Sequence, residues 1–515
     1  MDDFKQHYRR TKATMSCCRT AGLPRERRVN ILVNTGNGID FGVHNSNVEN
    51  LKRALLERVF FVSGKTGFQR PPQPRPLAFK VNLKRFKQQF RKHVGYTTAW
   101  SFDQFVNSYT GRKYTMYENA VSSFELKPLD IRDSYISAFV KAEKVNFSAK
   151  SDPAPRVIQP RSPRYNAAVG IYIKAIEHKI YNVIADVYGA PTVSKGLNAG
   201  EMGKLIAWKW DQFNDPVAIG LDASRFDQHC SVQALKWEHS IYRLFFPKDK
   251  HFAKLLRWQL NNKGFGNCPD GKIKYTTEGC RMSGDMNTGL GNCLLMCGMI
   301  YAYMQSKNCR YELINNGDDC VLFMERQDIN KLDDCSDWFV DMGFTMKIEE
   351  PVYILEKVVF CQMSPIFDGI EWLMVRDPRT CLTKDLISIK PLGNVNSWKF
   401  FCQAVSDSGL ACAGGIPIFN EFYQMLNVGG RKRKVVDLDC GLEFMADRMT
   451  RGYTKPTDEA RLSFWRAFDI VPDTQLEIEG YFRTRIVFNP GPVVKFKLAP
   501  ELINTNIYIL ESANS

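Results

Sequence analysis

The residues Asn316-Gly317-Asp318-Asp319 stand between two apolar runs, Tyr311-Glu-Leu-Ile314 and Cys320-Val-Leu-Phe-Met324. Such runs flanking a short polar turn read as strand, tight turn, strand. Two adjacent carboxylates at a hairpin tip repel each other, and a bound divalent cation is the simplest compensation. A solvated acidic turn is the plain alternative for the triplet alone, so its surroundings must decide. A second strand-like run, Pro216-Val-Ala-Ile-Gly-Leu-Asp222, also ends in a carboxylate and continues Ala-Ser-Arg-Phe-Asp227. Between the two acidic elements lies Ser283-Gly284-Asp-Met-Asn-Thr288-Gly-Leu-Gly-Asn292, followed by apolar residues to Met304. Gly284 lets backbone approach a ligand closely. Thr288 and Asn292 are four apart, so on a helix they share one face.

The segments around these residues supply cations. From Asp130 to Val169 basic side chains recur among apolar ones: Lys141 and Lys144, then Lys150, then Pro155-Arg156-Val-Ile-Gln-Pro160-Arg161. Prolines hold those arginines in extended, rigid backbone, suited to a phosphate track. Upstream, Arg70-Pro-Pro-Gln-Pro-Arg-Pro76 is a polyproline-like linker. It leads into Lys84-Arg85-Phe86-Lys-Gln-Gln-Phe90-Arg91-Lys92, whose phenylalanines form one apolar helical stripe flanked by basic residues. That helix is either a solvated surface or an RNA contact. Further helices are expected over Asn50 to Val62, 171–188, within 196–215 and through most of 228–262, a hairpin over Val358 to Pro365, and mostly helix after 376. The basic run from Gly429 to Lys434 reads as a solvated loop, an RNA-contacting loop or a nuclear-type signal.

The chain has 515 residues, 44% hydrophobic, with 70 Lys and Arg against 55 Asp and Glu, a net charge of +15. It is large enough for a substantial core and two to four subdomains, and its basic excess favours a polyanionic partner. The 15 cysteines contain no Cys-x-x-Cys pair and read as reduced thiols. A zinc site from His229, Cys230, Cys268 and Cys280 is the alternative use for some of them. No signal peptide opens the chain, and the longest apolar stretch, Gly289 to Met304, is too short to span a bilayer. Any membrane association is therefore expected to come from a partner or another segment. Gly266 to Lys272 imitates the start of a phosphate loop, but Ile273 stands where its hydroxyl residue belongs. There is no Gly-x-Ser-x-Gly and no His-Glu-x-x-His, which removes the commonest hydrolase readings.

In order, these elements are a basic proline-bounded track, Asp-x4-Asp, Ser-Gly-x3-Thr-x3-Asn and Gly-Asp-Asp. In this the chain resembles the viral RNA-dependent RNA polymerases, most closely those of the tombusvirus and luteovirus group of plant plus-strand RNA viruses. The resemblance covers about 139 to 365. It implies an α+β right-hand fold of fingers, palm and thumb, with an antiparallel palm sheet flanked by helices. The implied division is an N-terminal extension at 1–68, fingers at 69–215, palm at 216–375 with an inserted fingers segment at about 236–282, and thumb at 376–515.

Asp222 and Asp227 would belong to motif A, Ser283 to Asn292 to motif B, Asp318 and Asp319 to motif C, and Lys141 to Arg161 to motif F. The Gly343 to Lys347 element would be motif D, and the following hairpin motif E. The implied activity is RNA-templated RNA synthesis, with primer-free initiation. Its chemistry is an in-line displacement at phosphorus assisted by two Mg2+ or Mn2+ ions. Asp222 and Asp318 would hold both ions and Asp319 would be a secondary ligand. Lys150, Arg156 and Arg161 would neutralise the triphosphate. Lys347 is either a proton donor to pyrophosphate or a solvated edge lysine.

Asp227 and Asn292 would read the ribose 2′-hydroxyl, which both donates and accepts. A reverse transcriptase is the nearest rival, and small polar Asp227 argues against the bulky residue expected there. A non-catalytic RNA-binding subunit is the rival from another class. Expected partners are template and nascent RNA, nucleoside triphosphates and a membrane-anchored viral replication protein, either separate or the upstream part of a longer fusion. The expected location is the host cytoplasm, on membrane-associated replication complexes.

Overall fold

Four strands form a central antiparallel sheet: Pro216–Ala223 (β1), Tyr311–Asn316 (β2), Asp319–Glu325 (β3) and Met346–Ile348 (β4), in the order β2-β3-β1-β4. The computed structural model describes residues 13–24, 26–32, 40–64, 67–392, 394–429, 441–484 and 504–507. The chain also carries basic clusters at Arg9-Arg10 and Arg25-Glu-Arg-Arg28; Arg9, Arg10, Arg25 and the run at 430–434 lie outside the described residues.

Both faces of the sheet are covered, which explains why its strands read as unbroken apolar runs. Val217, Ile219, Leu221, Leu322 and Met324 face a helical core on one side. Ala218, Ile314, Val321 and Phe323 face a second core on the other, shared with the helix Ala199–Trp210 and with Val358 and Phe360. Because alternate residues enter different cores, a one-residue register slip would exchange both sets, so the register is strongly specified.

Helices contributing to the first core include Lys84–Lys92 (α1), Pro163–Tyr188 (α2), Val232–Phe245 (α3) and Thr288–Met304 (α4). The expected stripe on α1 is found: Phe86 and Phe90 are both fully buried. Phe86 meets Trp237 and Tyr301, and Phe90 meets Phe245. Lys84, Arg85, Arg91 and Lys92 remain exposed on the opposite side. The α4 helix is buried almost all round, as an evenly apolar helix must be. Helix α2 starts with Ser162 as N-cap and Pro163 in its first turn, and stops at Gly189 in the left-handed region.

A five-stranded sheet lies beside this core, in the order Thr14–Arg19, Gly271–Glu278, Asn261–Cys268, Ile136–Val140, Val157–Ile158. The phosphate-loop imitation is the turn of its Asn261–Cys268 hairpin. The C-terminal region is mainly helical around its own core, which includes Phe401, Phe422, Phe464 and Phe482.

Several sequence expectations need correction. The first helix ends earlier than Val62: Val48–Leu55 passes into a π-helical turn at Leu56–Phe60. The helical reading of 228–262 stops at Arg257, because Asn261 begins a strand that pairs across the sheet. The hairpin placed at 358–365 is present as a two-residue turn, Phe360 pairing with Met363 across Cys361-Gln362, and it runs on into a longer pairing of Met363–Phe367 with Trp372–Arg376. Cys361 and Gln362 both have positive φ, which turns the chain just before that pairing can start. The cysteine and histidine set does not gather: both ring nitrogens of His229 are engaged, by Arg225 O and Thr345 Oγ1, and Cys280 Sγ lies against Val59 O and Gln228 O.

Candidate active site

The two acidic elements are neighbours in the central sheet. Asn316 pairs with Asp319 across a two-residue loop, Gly317-Asp318. Gly317 has φ +89, the positive value a tight hairpin demands at its first central position. The register then sets Asp319 directly opposite Asp222 on β1, and Lys347 of β4 opposite Asp222 on its other side. Directly opposed like charges destabilise a sheet, so this pairing is a cost to the fold. Burial, and then Asp318, push the Asp222 carboxyl above the ordinary carboxylate range, while Lys347 opposes the shift. Burial also raises Asp319, which is partly relieved because its Oδ2 accepts the backbone N–H of Cys361 at 2.8 Å. The strained Cys361-Gln362 turn thus clasps the hairpin, and Asn316 Nδ2 reaches Cys361 Sγ at 2.9 Å.

The donor set fits a hard divalent cation in type: carboxylate oxygens, with no ion pair to Asp222 or Asp318 among the described residues. The fit is incomplete in placement. Among the described residues no group of three or more His, Cys, Asp and Glu side chains is gathered closely enough to hold a metal. Asp319 Oδ2 is already engaged by the backbone N–H of Cys361.

Asp227 and Asn292 meet as expected, with Asn292 Nδ2 donating to Asp227 Oδ1 at 2.9 Å. Burial raises the Asp227 carboxyl, against the amide of Asn292 and the charge of Arg281. Asp227 sits on a short turn of helix, Phe226–His229, entered through Arg225 at φ +49.

The basic track divides into cations that face outward and cations that do not. Arg156 is exposed and shares Glu143 with Lys141, at 3.2 and 2.9 Å. Lys150 is also exposed. Arg161 does not reach a ligand surface, contrary to expectation. Its side chain is 1% exposed, bound to Asp285, to Ser134 O at 2.7 Å and to Asn262 Oδ1 at 2.8 Å. The proline-bounded backbone is extended as expected, but alternate residues of an extended chain point to opposite sides, and Arg161 points into the protein. Lys144 is likewise buried and donates to Lys384 O at 3.1 Å, at the carbonyl end of the helix Pro378–Lys384.

Gly284 also serves a different purpose from the one expected. A Cβ there would lie 2.4 Å from Pro160 Cα, so the backbone that approaches is Pro160 rather than RNA. Ser283 ties the same seam: its Oγ accepts from Gln159 N at 3.2 Å and lies 3.3 Å from Val157 O. Thr288 Oγ1 lies 2.9 Å from the carbonyls of both Met282 and Asp285.

Two arginines that sequence reasoning passed over belong to this region. Burial lowers Arg58, helped by the nearby charges of Arg225 and Arg156. Its Nε is buried without a hydrogen-bond partner. Arg58 lies in the π-helical turn, a feature frequent at functional sites. Arg225 donates to Glu57 O and, at 3.4 Å, to Phe61 O. Only Arg225 had a usable sequence signal, since it stands between Asp222 and Asp227.

The comparisons with known proteins concern the chain as a whole. The family model for viral RNA dependent RNA polymerase matches residues 15–487. The RNA-directed RNA polymerase of Turnip crinkle virus is 44% identical over 471 residues, covering 90% of this chain and 60% of the relative. That of Tobacco necrosis virus (strain A) is 44% identical over 454 residues, covering 87% and 63%. That of Carnation mottle virus is 45% identical over 475 residues, covering 91% and 62%. The chain therefore spans about three-fifths of the length of these curated relatives. On the extent of the match and the level of identity, the chain belongs to the viral RNA-dependent RNA polymerase family.

Proposed function

We propose that the chain catalyses RNA-templated RNA synthesis, adding ribonucleotides to a growing 3′ end during viral replication. The observation that carries this reading is one end of the central sheet that brings Asp222, Asp319 and the Asp318 turn together, with the Asp227–Asn292 hydrogen bond following on the same segment. A polymerase needs negative charge for metal beside a reader of the sugar, and the two lie close together on the same segment, at 222 and 227.

In this reading the right-hand division applies, with fingers at 69–215, palm at 216–375 including the insertion at 236–282, thumb at 376–515 and an extension at 1–68. Asp222 and Asp318 would hold two Mg2+ or Mn2+ ions, with Asp319, which accepts from Cys361 N here, as a secondary ligand. The ions, when bound, favour the ionised 3′-hydroxyl and offset charge on the departing pyrophosphate. The protein's own side chains do the rest. Arg156, Lys141 and Lys150, with Arg58 and Arg225, attract and orient the triphosphate. Asp227 and Asn292 together present an acceptor and a donor to the 2′-hydroxyl. Lys347, exposed opposite Asp222, is placed to give a proton to pyrophosphate. Arg161, Ser283, Gly284 and Thr288 act by holding the track against the start of α4.

Initiation without a primer, RNA and nucleoside triphosphates as partners, and recruitment to membranes by an anchored viral protein complete the reading. Among the described residues no helix is long and apolar enough to cross a membrane. The test is incorporation of labelled ribonucleotides on unprimed RNA by the purified chain with magnesium or manganese. Template-dependent, ribonucleotide-selective product supports the proposal. Preference for deoxyribonucleotides would replace it with a reverse transcriptase, and RNA binding with no incorporation would replace it with a non-catalytic RNA-binding subunit.

A further inference from the structure

Behind the Asp227–Asn292 pair lies a buried ion pair that none of the chemistry above uses. Arg281 and Glu238 are 1% and 0% exposed. Arg281 grips Glu238 in a bidentate fork, Nη1 to Oε1 at 3.0 Å and Nη2 to Oε2. Glu238 Oε1 also accepts from Tyr242 Oη and Asn287 Nδ2, each at 2.8 Å, so both carboxylate oxygens are engaged. The third face of the guanidinium points elsewhere: Arg281 Nε donates to Asn292 Oδ1 at 3.0 Å. The backbone joins the same unit, with Arg281 N donating to Asp227 O at 2.8 Å.

The bond from Arg281 Nε fixes the orientation of an amide. A guanidinium can only donate, so the atom of Asn292 facing it must be the carbonyl oxygen. The NH2 group is thereby turned to Asp227, where one hydrogen is bound at 2.9 Å and the other remains for a ligand. With the amide flipped, Asn292 would set its oxygen against the Asp227 carboxylate and its NH2 against a cation. A buried pair of this kind brings little net stability over apolar residues of the same volume. Its presence here is better accounted for by the orientation it imposes. The space is also reserved for it: a Cβ on Gly291 would lie 2.4 Å from Arg281 Nη2 and 2.5 Å from Glu238 Oε1.

We propose that Arg281, held by Glu238, is a positioning residue that locks the Asn292 amide in one flip and so determines selection of ribose over deoxyribose. This rests on the reading that Asp227 and Asn292 recognise the 2′-hydroxyl. Losing a built hydrogen bond to a substrate hydroxyl removes discrimination against the analogue that lacks the hydroxyl. Relaxing the lock therefore acts on the ribonucleotide and leaves the deoxyribonucleotide nearly untouched.

The experiment measures kcat and KM for one ribonucleotide and its 2′-deoxy counterpart on a fixed RNA template, with the full chain. The variants are Arg281→Lys, Gly291→Ala and, as reference, Asn292→Ala. Arg281→Lys keeps the charge beside Glu238 but lacks the fork that reaches two partners at once. Gly291→Ala displaces the pair without touching Asn292, Asp227 or the carboxylates, and suits a helix interior. The expected result is a fall of about tenfold in the ribo-to-deoxyribo ratio of kcat/KM for Arg281→Lys, mostly through the ribonucleotide KM. Gly291→Ala should show a smaller fall in the same ratio. Adding Arg281→Lys to Asn292→Ala should lower the ratio no further. A purely structural role would reduce both substrates alike and leave the ratio unchanged. If Asn292→Ala lowers the ratio while both other variants keep it, the inference is overturned and the sugar reading stands. If all three keep the wild-type ratio, the sugar reading fails and takes the inference with it. Should Arg281→Lys not fold, Gly291→Ala decides.

Discussion

Two groups of charge lie within one continuous stretch of this protein and are treated in opposite ways: Asp222 and Asp318 are exposed, whereas Glu238 and Arg281 are buried. At the hairpin, Asp222 and Asp319 face each other across two strands, Asp318 joins them, and Lys347 offers a counter-charge to Asp222. Behind Asn292, Arg281 and Glu238 satisfy one another completely, with Tyr242 and Asn287 completing the carboxylate. The Asp222 and Asp319 carboxyls are pushed up, chiefly by burial; Glu238 is held below its ordinary range because the charge of Arg281 outweighs its burial. The difference separates charge kept open for a ligand from charge closed to hold geometry. An open carboxylate makes the empty protein less stable and gains when a cation arrives. A closed pair makes no use of a ligand and resists disturbance.

The sharpest way to break this contrast is at the hairpin itself. Asp318→Asn should lower nucleotide incorporation by at least about a thousandfold while RNA affinity and melting temperature hold or rise. Asp222→Asn should behave alike, and Asp319→Asn should be milder, because Cys361 N already holds that carboxylate. Incorporation within tenfold of wild type for Asp318→Asn would remove this residue from the chemistry.

The closed pair should fail in stability before it fails in chemistry. Glu238→Ala leaves a buried guanidinium without its partner and should cost about 3–5 kcal/mol, read from denaturant unfolding. A fall in stability of less than about 1 kcal/mol would mean that water or a neighbour replaces the carboxylate.

The pH dependence of stability should separate the two groups by sign. A carboxyl raised in the folded state binds its proton more tightly there than in the unfolded chain. Its destabilisation at neutral pH is therefore relieved as pH falls through the raised value. Glu238, lowered on folding, contributes stability that is present above the ordinary carboxylate range and lost as pH falls below it. The stabilising effect of Asp222→Asn in metal-free protein should thus shrink on mild acidification, while Glu238→Gln keeps its full effect until pH drops lower. Thermal melts at stepped pH would show it, and parallel curves for the two variants would contradict the assignment.

The smallest effect is expected on α1, where charge is neither closed nor near the chemistry. Replacing Lys84, Arg85, Arg91 and Lys92 with glutamine should leave folding intact, since Phe86 and Phe90 anchor the helix. The slope of log RNA affinity against log salt should flatten by about 0.7 for each RNA phosphate that these side chains no longer neutralise. An unchanged slope would make this face a solvated surface only.

Much of the site was legible in the chain because its signals are short. The Gly-Asp-Asp hairpin follows from two apolar runs and a glycine that tolerates positive φ, and burial of both sheet faces follows from runs without alternation. The α1 stripe follows from a four-residue spacing. The Asp227–Asn292 pairing came from the family resemblance and holds in the structure. What tertiary structure alone decided is which partner each charge meets. Arg156 and Arg161 stand five apart in the same proline-bounded track, yet one is exposed and the other is closed on Asp285, 124 residues away. Arg281 meets Glu238 at a separation of 43 residues, Asp319 meets the backbone of Cys361 at 42, and Gly284 makes room for Pro160. Turn chemistry and hydrophobic period act over a few residues, so they are written locally. An arginine bound for solvent phosphate and one bound for a buried carboxylate are the same residue in the sequence, and only the packing of distant strands against it determines which it becomes.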